Sequence, residues 1–179
     1  MITISKFKDE DVRATEELRL ATWKVAYKGI VDQEYLDYIH VKEEKLEGLK
    51  TFANNEKTIF FIAKDEDKIV GFISGKDMLN DDKDFEADLS GIYILPDYHG
   101  QGIGKKLVKP FLEALIKRGI NNSSIVVFSE NASSIGFYKK LGAEYIKTID
   151  VEIPSGGGRF YKADVMAFKD VKACLKLLA

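Results

Sequence analysis

The chain is poor in the residues that build stapled or metal-centred sites. Its 179 residues include one cysteine, Cys174, and two histidines, His40 and His99. A lone cysteine excludes an internal disulfide and any multi-cysteine metal site. The two histidines are too far apart in sequence to offer a metal-binding spacing, so no metal is expected. Charge of one sign is also lacking: Lys plus Arg total 27 against 29 for Asp plus Glu, a net charge of −2. A nucleic-acid binder normally carries a strong basic excess, so none is expected as a partner. Long apolar runs are missing too. The longest is about five residues, where a membrane-spanning helix needs about 20. The opening Met1-Ile2-Thr3-Ile4-Ser5-Lys6 has no charged stretch followed by an apolar one, so no secretory signal is read. No Pro/Gly/Ser-rich linker, repeat or low-complexity tract divides the chain. These absences predict a soluble, cytoplasmic, single domain over residues 1–179, without a membrane partner.

What is present suits a folded domain. Apolar residues make up 45% and charged residues 31%, and a chain of this length buries a sizeable core. Residues 2–7 alternate as a strand. Residues 9–27 read as a helix with Ala14, Leu18, Ala21 and Val25 on one face, stopping near Gly29. A second helical stretch, 33–52, is broken near His40. Strands at 58–64 and 68–74 flank the polar turn Asp65-Glu66-Asp67. The acidic stretch 77–88 precedes a strand at 87–95 that ends at Pro96. Residues 102–118 then place Ile103, Leu107, Val108, Phe111, Leu112 and Leu115 on one helical face. A strand at 124–128, a helix at 132–141 and a strand at 143–153 follow. The tip Pro154-Ser155-Gly156-Gly157-Gly158 and a strand at 159–168 complete a second hairpin, and Asp170 caps a short last helix. Interleaved strands and helices with two hairpins predict an α/β (α+β) fold on a mixed sheet.

The most informative segment is Tyr98-His99-Gly100-Gln101-Gly102-Ile103-Gly104-Lys105-Lys106, between a strand and an amphipathic helix. Glycines let backbone approach a ligand closely, and a helix start offers unpaired N–H groups at a positive dipole end. Such a site suits phosphate or pyrophosphate, and Lys105 and Lys106 add charge of the right sign. Neither a Walker A loop nor a dinucleotide fingerprint fits: the first needs Gly-Lys-Ser/Thr, and the second needs glycine where Lys105 stands.

With Ile92-Tyr93-Ile94-Leu95-Pro96-Asp97 before it, this loop resembles the coenzyme A motif of the GCN5-related N-acetyltransferase (GNAT) superfamily. His99 departs from that motif, which has Gln or Arg at its first position. A second segment, from Asn131 through Phe137-Tyr138 to Gly142-Ala143, resembles another motif of the same family in register. It departs at Gly136, where alanine is usual, and at Ala143, where phenylalanine is usual. The resemblance covers residues 86–145. It implies a GNAT-like acyl-CoA N-acyltransferase fold and a transferase that moves the acetyl group of acetyl-CoA onto a primary amine by direct attack in a ternary complex. It further implies that backbone groups of Ile92, Tyr93 and Ile94 meet the pantetheine arm, with the Ile94 amide facing the thioester oxygen. The loop Gly100, Gln101, Gly102, Ile103, Gly104 and Lys105 would hold the pyrophosphate, with His99 at the pocket rim, and Asn131 would contact the coenzyme, cap its helix, or do both.

The chemistry needs a proton for the leaving thiolate and a base for the amine. Tyr138 is the acid that the motif implies; its alternative reading is an aromatic packing the helix onto the sheet. Asp88, eleven residues before His99, matches a strand carboxylate of many family members, with Glu86 as the alternative base; both also read as a solvated acidic edge. Cys174 lies on a terminal helix without a partner nearby in sequence, which disfavours an acyl-enzyme.

For the acceptor, Trp23, Tyr27, Tyr35 and Tyr38 supply aromatic surface, and Glu34, Asp37 and the acidic 77–88 stretch supply charge. These features predict a small cationic amine, polyamine- or amino-sugar-like. The alternatives are a protein or peptide amino group and a non-catalytic acyl-CoA-binding module. Residues 143–168 offer a strand-pairing route to a homodimer, which the sequence leaves open.

Overall fold

The computed structural model describes residues 1–78, 84–153 and 158–178. Its strands are β1 (Ile2–Lys6), β2 (Thr58–Asp65), β3 (Lys68–Asp77), β4 (Ala87–Ile94), β5 (Ser123–Phe128), β6 (Glu144–Glu152) and β7 (Phe160–Phe168). Its helices are α1 (Val12–Ala26), α2 (Gln33–Tyr38), α3 (Glu43–Ala53), α4 (Ile103–Lys117), α5 (Ala132–Lys140) and α6 (Val171–Lys176). The strands form one mixed sheet in the order β1-β2-β3-β4-β5-β7-β6. Only the β4–β5 pair among the described residues is parallel, as a strand–helix–strand crossover through α4 requires.

Alternation along β2 and β3 sends side chains to two layers. Ile59, Ala63, Val70 and Ile73 pack toward α4, whereas Phe60, Ile62 and Phe72 pack with Leu18 of α1 and Leu49 and Phe52 of α3. The predicted face of α4 is fully buried: Ile103, Leu107, Val108, Phe111, Leu112 and Leu115 are at most 1% exposed. Each such side chain contributes about 1.5–3 kcal/mol relative to exposure. Pro110 sits within α4, where its missing N–H leaves the Lys106 carbonyl without the usual helical donor.

The face predicted for α1 is corrected. Leu18 is buried, but Ala14, Ala21 and Val25 are exposed, and Thr15, Glu16, Leu20 and Thr22 are buried instead. The reason is that α1 borders an open cleft as well as the core, so polar side chains occupy part of its inner face. Asp170 accepts from the Ala173 amide at 2.9 Å and caps α6 as expected. The glycine run of the β6–β7 tip falls largely on 154–157, and the middle of the acidic stretch on 79–83; both lie outside the described residues. Among the described residues, no helix is long and apolar enough to cross a membrane.

Candidate active site

The site begins where the sheet opens. β4 pairs with β5 only at Asp88–Ser124 and Leu89–Ile125, while β5 stays paired with β7 through Phe128. Beyond Leu89 the two parallel strands diverge. A bulge marks the point of departure: Ser74 of β3 faces Gly91 and Gly75 faces Leu89, leaving Ser90 as the extra residue.

Past the bulge, the ladder alternates. The Leu95 amide donates to the Val70 carbonyl at 3.0 Å. Gly71–Ile94 and Ile73–Ile92 are therefore the non-hydrogen-bonded pairs. Ile92 and Ile94 consequently turn their N–H and C=O groups into the opening. Tyr93 turns its own toward β3, so the expectation of free main-chain groups at Tyr93 is not met. What Tyr93 supplies is its ring. A Cβ on Gly91 would lie 2.6 Å from that ring, so the absence of a side chain at Gly91 lets Tyr93 fold back along the strand.

The Tyr93 ring divides two spaces. On one side is a narrow channel of about 130 Å³, lined by Thr22 and Val25 of α1 and Tyr27 just after it, by Ile92 and Ile94, by His99, and by Asn131 and Ser134 at the start of α5. On the other is a cleft of about 790 Å³ between α1, α2, α3 and the sheet. Its walls include Trp23, Tyr35 and Tyr38, three of the aromatics singled out in the sequence; Tyr27 borders the channel instead. Val31, Leu36 and Ile153 close one end as a small core, reinforced by an ion pair between Arg159 and Asp32. Glu34 and Asp37 are exposed on α2 and do not line the cleft.

The channel leads to the glycine loop. Gly100 and Gly102 have φ of +77° and +75°, and a Cβ at either would meet nothing within 4 Å. Both glycines are there for the left-handed turn, and the space beside them is open. The helix amide at Lys106 bonds back to the Gly102 carbonyl, so the amides ahead of it, at Ile103, Gly104 and Lys105, have no acceptor within the helix. No side chain caps this end. Gly104 has another function: a Cβ there would lie 2.7 Å from the Phe137 ring. It is the contact point of α4 and α5. Gln101 donates to the Asp97 carbonyl and braces the turn. His99, the departure from the motif, bonds through Nε2 to the Ile94 carbonyl at 2.9 Å. The carbonyl can only accept, so Nε2 carries the proton.

Asn131 accepts from the Ser134 amide at 3.1 Å, capping α5 while bordering the channel. Tyr138, on the last turn of α5, is only 4% exposed. Burial pushes its phenol well above the ordinary value, with smaller contributions from Tyr93 and Tyr27. Tyr27 is raised as well, mainly by burial and then by the nearby Tyr93. Tyr93 borders both channel and cleft and Tyr27 borders the channel, whereas Tyr138, the phenol to which the motif pointed, is buried behind them and lines neither.

The two carboxylates part company. Asp88 is half-buried, with Ser90 and Ser124 hydroxyls at 3.4 Å from its oxygens. Burial raises it above the usual carboxylate range, against the lowering effect of those hydroxyls. Ser90 also lines the large cleft. Glu86 instead lies ahead of β4 and accepts from the Asn121 amide at 2.5 Å, in the α4–β5 connection. Cys174 is buried beside Gly142 and its thiol is raised, chiefly by burial.

Residues missed in the sequence sit on α1 and α3. Glu16 is buried and accepts two bonds from Arg19, at 2.7 and 2.8 Å. The Arg19 guanidinium lies 5.1 Å from the Trp23 ring centre. The Arg19–Glu16 pair was legible as an i,i+3 spacing, but nothing in the sequence says that it faces a cleft.

Comparison with known proteins agrees with this geometry. Residues 17–143 match the model of the acetyltransferase (GNAT) family. The chain is 30% identical over 145 residues to a spermidine N(1)-acetyltransferase of Thermoplasma acidophilum, covering 79% of this chain and 87% of the relative. It is 34% identical over 95 residues to the ribosomal protein bS18-alanine N-acetyltransferase of Escherichia coli, covering 52% and 61%. The crystal structure of PaiA N-acetyltransferase from Thermoplasma acidophilum, in complex with coenzyme A, superposes with a TM-score of 0.71. That match has 24% sequence identity and covers 93% of this chain and 98% of that one.

Proposed function

Because this chain belongs to the acetyltransferase (GNAT) family and is an N-acetyltransferase, we propose that it acetylates a primary amine held in the large cleft, by direct attack on acetyl-CoA held in the channel. The observation that carries this reading is the opening between β4 and β5. It presents main-chain groups of Ile92 and Ile94 and leads to the uncapped start of α4.

The residues present fit an acyl-CoA donor. Ile92 offers its N–H and C=O groups, and Ile94 its N–H, for an amide-bearing arm. The amides of Ile103, Gly104 and Lys105, with the Lys105 and Lys106 side chains, suit a pyrophosphate. Acetyl-CoA supplies an activated acetyl group as a thioester. The Ile94 N–H faces the opening and would stabilise charge developing on an acyl oxygen, an effect worth a few kcal/mol for a preorganised donor. His99 holds the next peptide unit in place through the Ile94 carbonyl.

Asp88 is the base of this proposal, reached from the cleft through Ser90 or water; Glu86 is engaged at Asn121. Tyr138 is the acid. Its raised pKa keeps the hydroxyl protonated at neutral pH, so it has a proton to give to a sulfur that leaves on the α5 side of the channel. With the Cys174 thiol raised and placed against Gly142, outside the channel and cleft linings, the reading needs no acyl-enzyme.

Calorimetric titration with acetyl-CoA, followed by thiol release across polyamines, amino sugars, amino acids and short peptides, tests the proposal. Micromolar binding with thiol release on one amine class is expected; neither binding nor release overturns it. Asp88→Asn adds a sharper result. A base must be ionised to act, and burial makes Asp88 keep its proton to higher pH. The acidic limb of kcat/KM should therefore lie above the ordinary carboxylate range. The variant should lose that limb and about 10²- to 10⁴-fold in kcat/KM. An unchanged profile removes Asp88 from the mechanism.

A further inference from the structure

The charge inside the cleft points away from the cationic acceptor that the sequence suggests. Glu16 is its one acidic lining residue among the described residues, and both of its oxygens are engaged by Arg19. Lys42 and Lys45, at the start of α3, line the same cleft and make no ion pair among the described residues. Among the described residues, the acids expected to attract a cation do not line the cleft. Glu34 and Asp37 are on the outer side of α2, Asp84 pairs with Lys147, and Glu86 is held by the Asn121 amide.

Thr15 and Trp23 line the cleft from α1, and the Thr15 hydroxyl and the Trp23 indole N–H are buried with no partner among the described residues. An indole N–H can only donate. A guanidinium and two ammonium groups on these walls together match an anion and repel a polycation.

We infer that the acceptor is a small amine that also carries a carboxylate, such as an amino acid or a short acidic peptide. Its amine lies toward Tyr93 and Asp88, and its carboxylate toward Arg19, Lys42 and Lys45. The inference rests on the acetyltransferase reading and names the substrate class of that same site. Arg19 is one helical turn from Trp23 and about 5 Å along the axis from Thr22 at the channel, so one small molecule spans both ends. The buried Glu16 fixes the guanidinium of Arg19 in place and leaves its remaining N–H groups for the ligand.

Thiol release is measured with three probes: glycyl-glutamate, the equally sized glycyl-glutamine amide, and spermidine. Wild type should favour glycyl-glutamate over the neutral amide by about tenfold in kcat/KM, the size of effect expected for two close charges at a partly solvated site. Spermidine should be the poorest of the three. In the double variant K42E/K45E the order should reverse, with an unchanged Kd for acetyl-CoA showing that the fold is intact. A preference of wild type for spermidine or the neutral amide, or a ratio unmoved in K42E/K45E, overturns the inference while leaving the acetyltransferase reading standing. So does acetyl-CoA binding without turnover of either dipeptide. Failure to bind acetyl-CoA, with no thiol release from any probe, overturns both.

Discussion

Tyr138→Phe is expected to lower kcat by about 10- to 10⁴-fold, the usual range for removal of a general acid, while leaving the Kd for acetyl-CoA nearly unchanged. The substitution deletes one oxygen from a ring that is 4% exposed and keeps the packing of α5 against the sheet. Any loss is therefore chemical rather than structural, and a melting temperature close to that of wild type verifies this. The buried phenol titrates well above its ordinary value, which by itself makes it a weaker acid. The receiving sulfur would leave into the same dry environment, where burial disfavours a thiolate and raises its own proton affinity. The two shifts run in the same direction, so proton transfer between them keeps its driving force. It also follows that kcat has no basic limb from Tyr138 between pH 7 and the ordinary phenol range. Unchanged turnover in Tyr138→Phe would reduce the residue to packing.

Gly104→Leu should have the second large effect, on stability and coenzyme binding together. A Cβ at 104 would lie 2.7 and 2.8 Å from two atoms of the Phe137 ring, and Leu adds three more carbons. Overpacking of this kind costs about 1–3 kcal/mol, which lowers Tm by roughly 2–4 °C per kcal/mol in a domain of this size. Phe137 is Tyr138's neighbour and packs edge-on against it, with ring centres 5.3 Å apart. Displacing it moves α5, the acid and the Asn131 end of the channel. Gly102→Ala provides the contrast. It meets open space but imposes a left-handed φ on a residue with a side chain, a strain of about 1–3 kcal/mol. Calorimetry with acetyl-CoA and thermal melts separate the two. Gly104→Leu should lose both binding and several degrees, while Gly102→Ala should weaken binding through the distorted loop without disturbing Phe137. Normal acetyl-CoA binding in both variants would mean that the loop is a turn and nothing more.

The two glycines show where reading along the chain stops short. Gly100, Gly102 and Gly104 look alike in sequence, as one glycine-rich turn before a helix. Two of them supply backbone conformation and the third supplies clearance for an aromatic ring on another helix. Tyr93 is a similar case. Motif position suggests three equivalent backbone contributors at 92–94, but ladder alternation separates Ile92 and Ile94, which face the opening, from Tyr93, which faces β3.

Much of the molecule follows from local periodicity. The α4 face from Ile103 to Leu115, the strands on either side of Asp65–Asp67, the caps at Asn131 and Asp170, and the mixed character of the sheet are local properties: side-chain spacing and short-range hydrogen bonds decide them. The two coenzyme motifs were legible for the same reason, since a turn and the helix start beside it are contiguous in the chain. Tertiary structure alone decided which side of α1 is inside, because a helix bordering an open cleft as well as the core buries Thr15 and Glu16 where periodicity looks for apolar residues. It also decided that Asp88 lies half-buried between the Ser90 and Ser124 hydroxyls while Glu86 is held by the Asn121 amide, and that Arg19, Lys42 and Lys45 share one cavity. Those outcomes depend on how separate elements pack. Charge counted along a chain carries no information about which charges end up facing each other across a space.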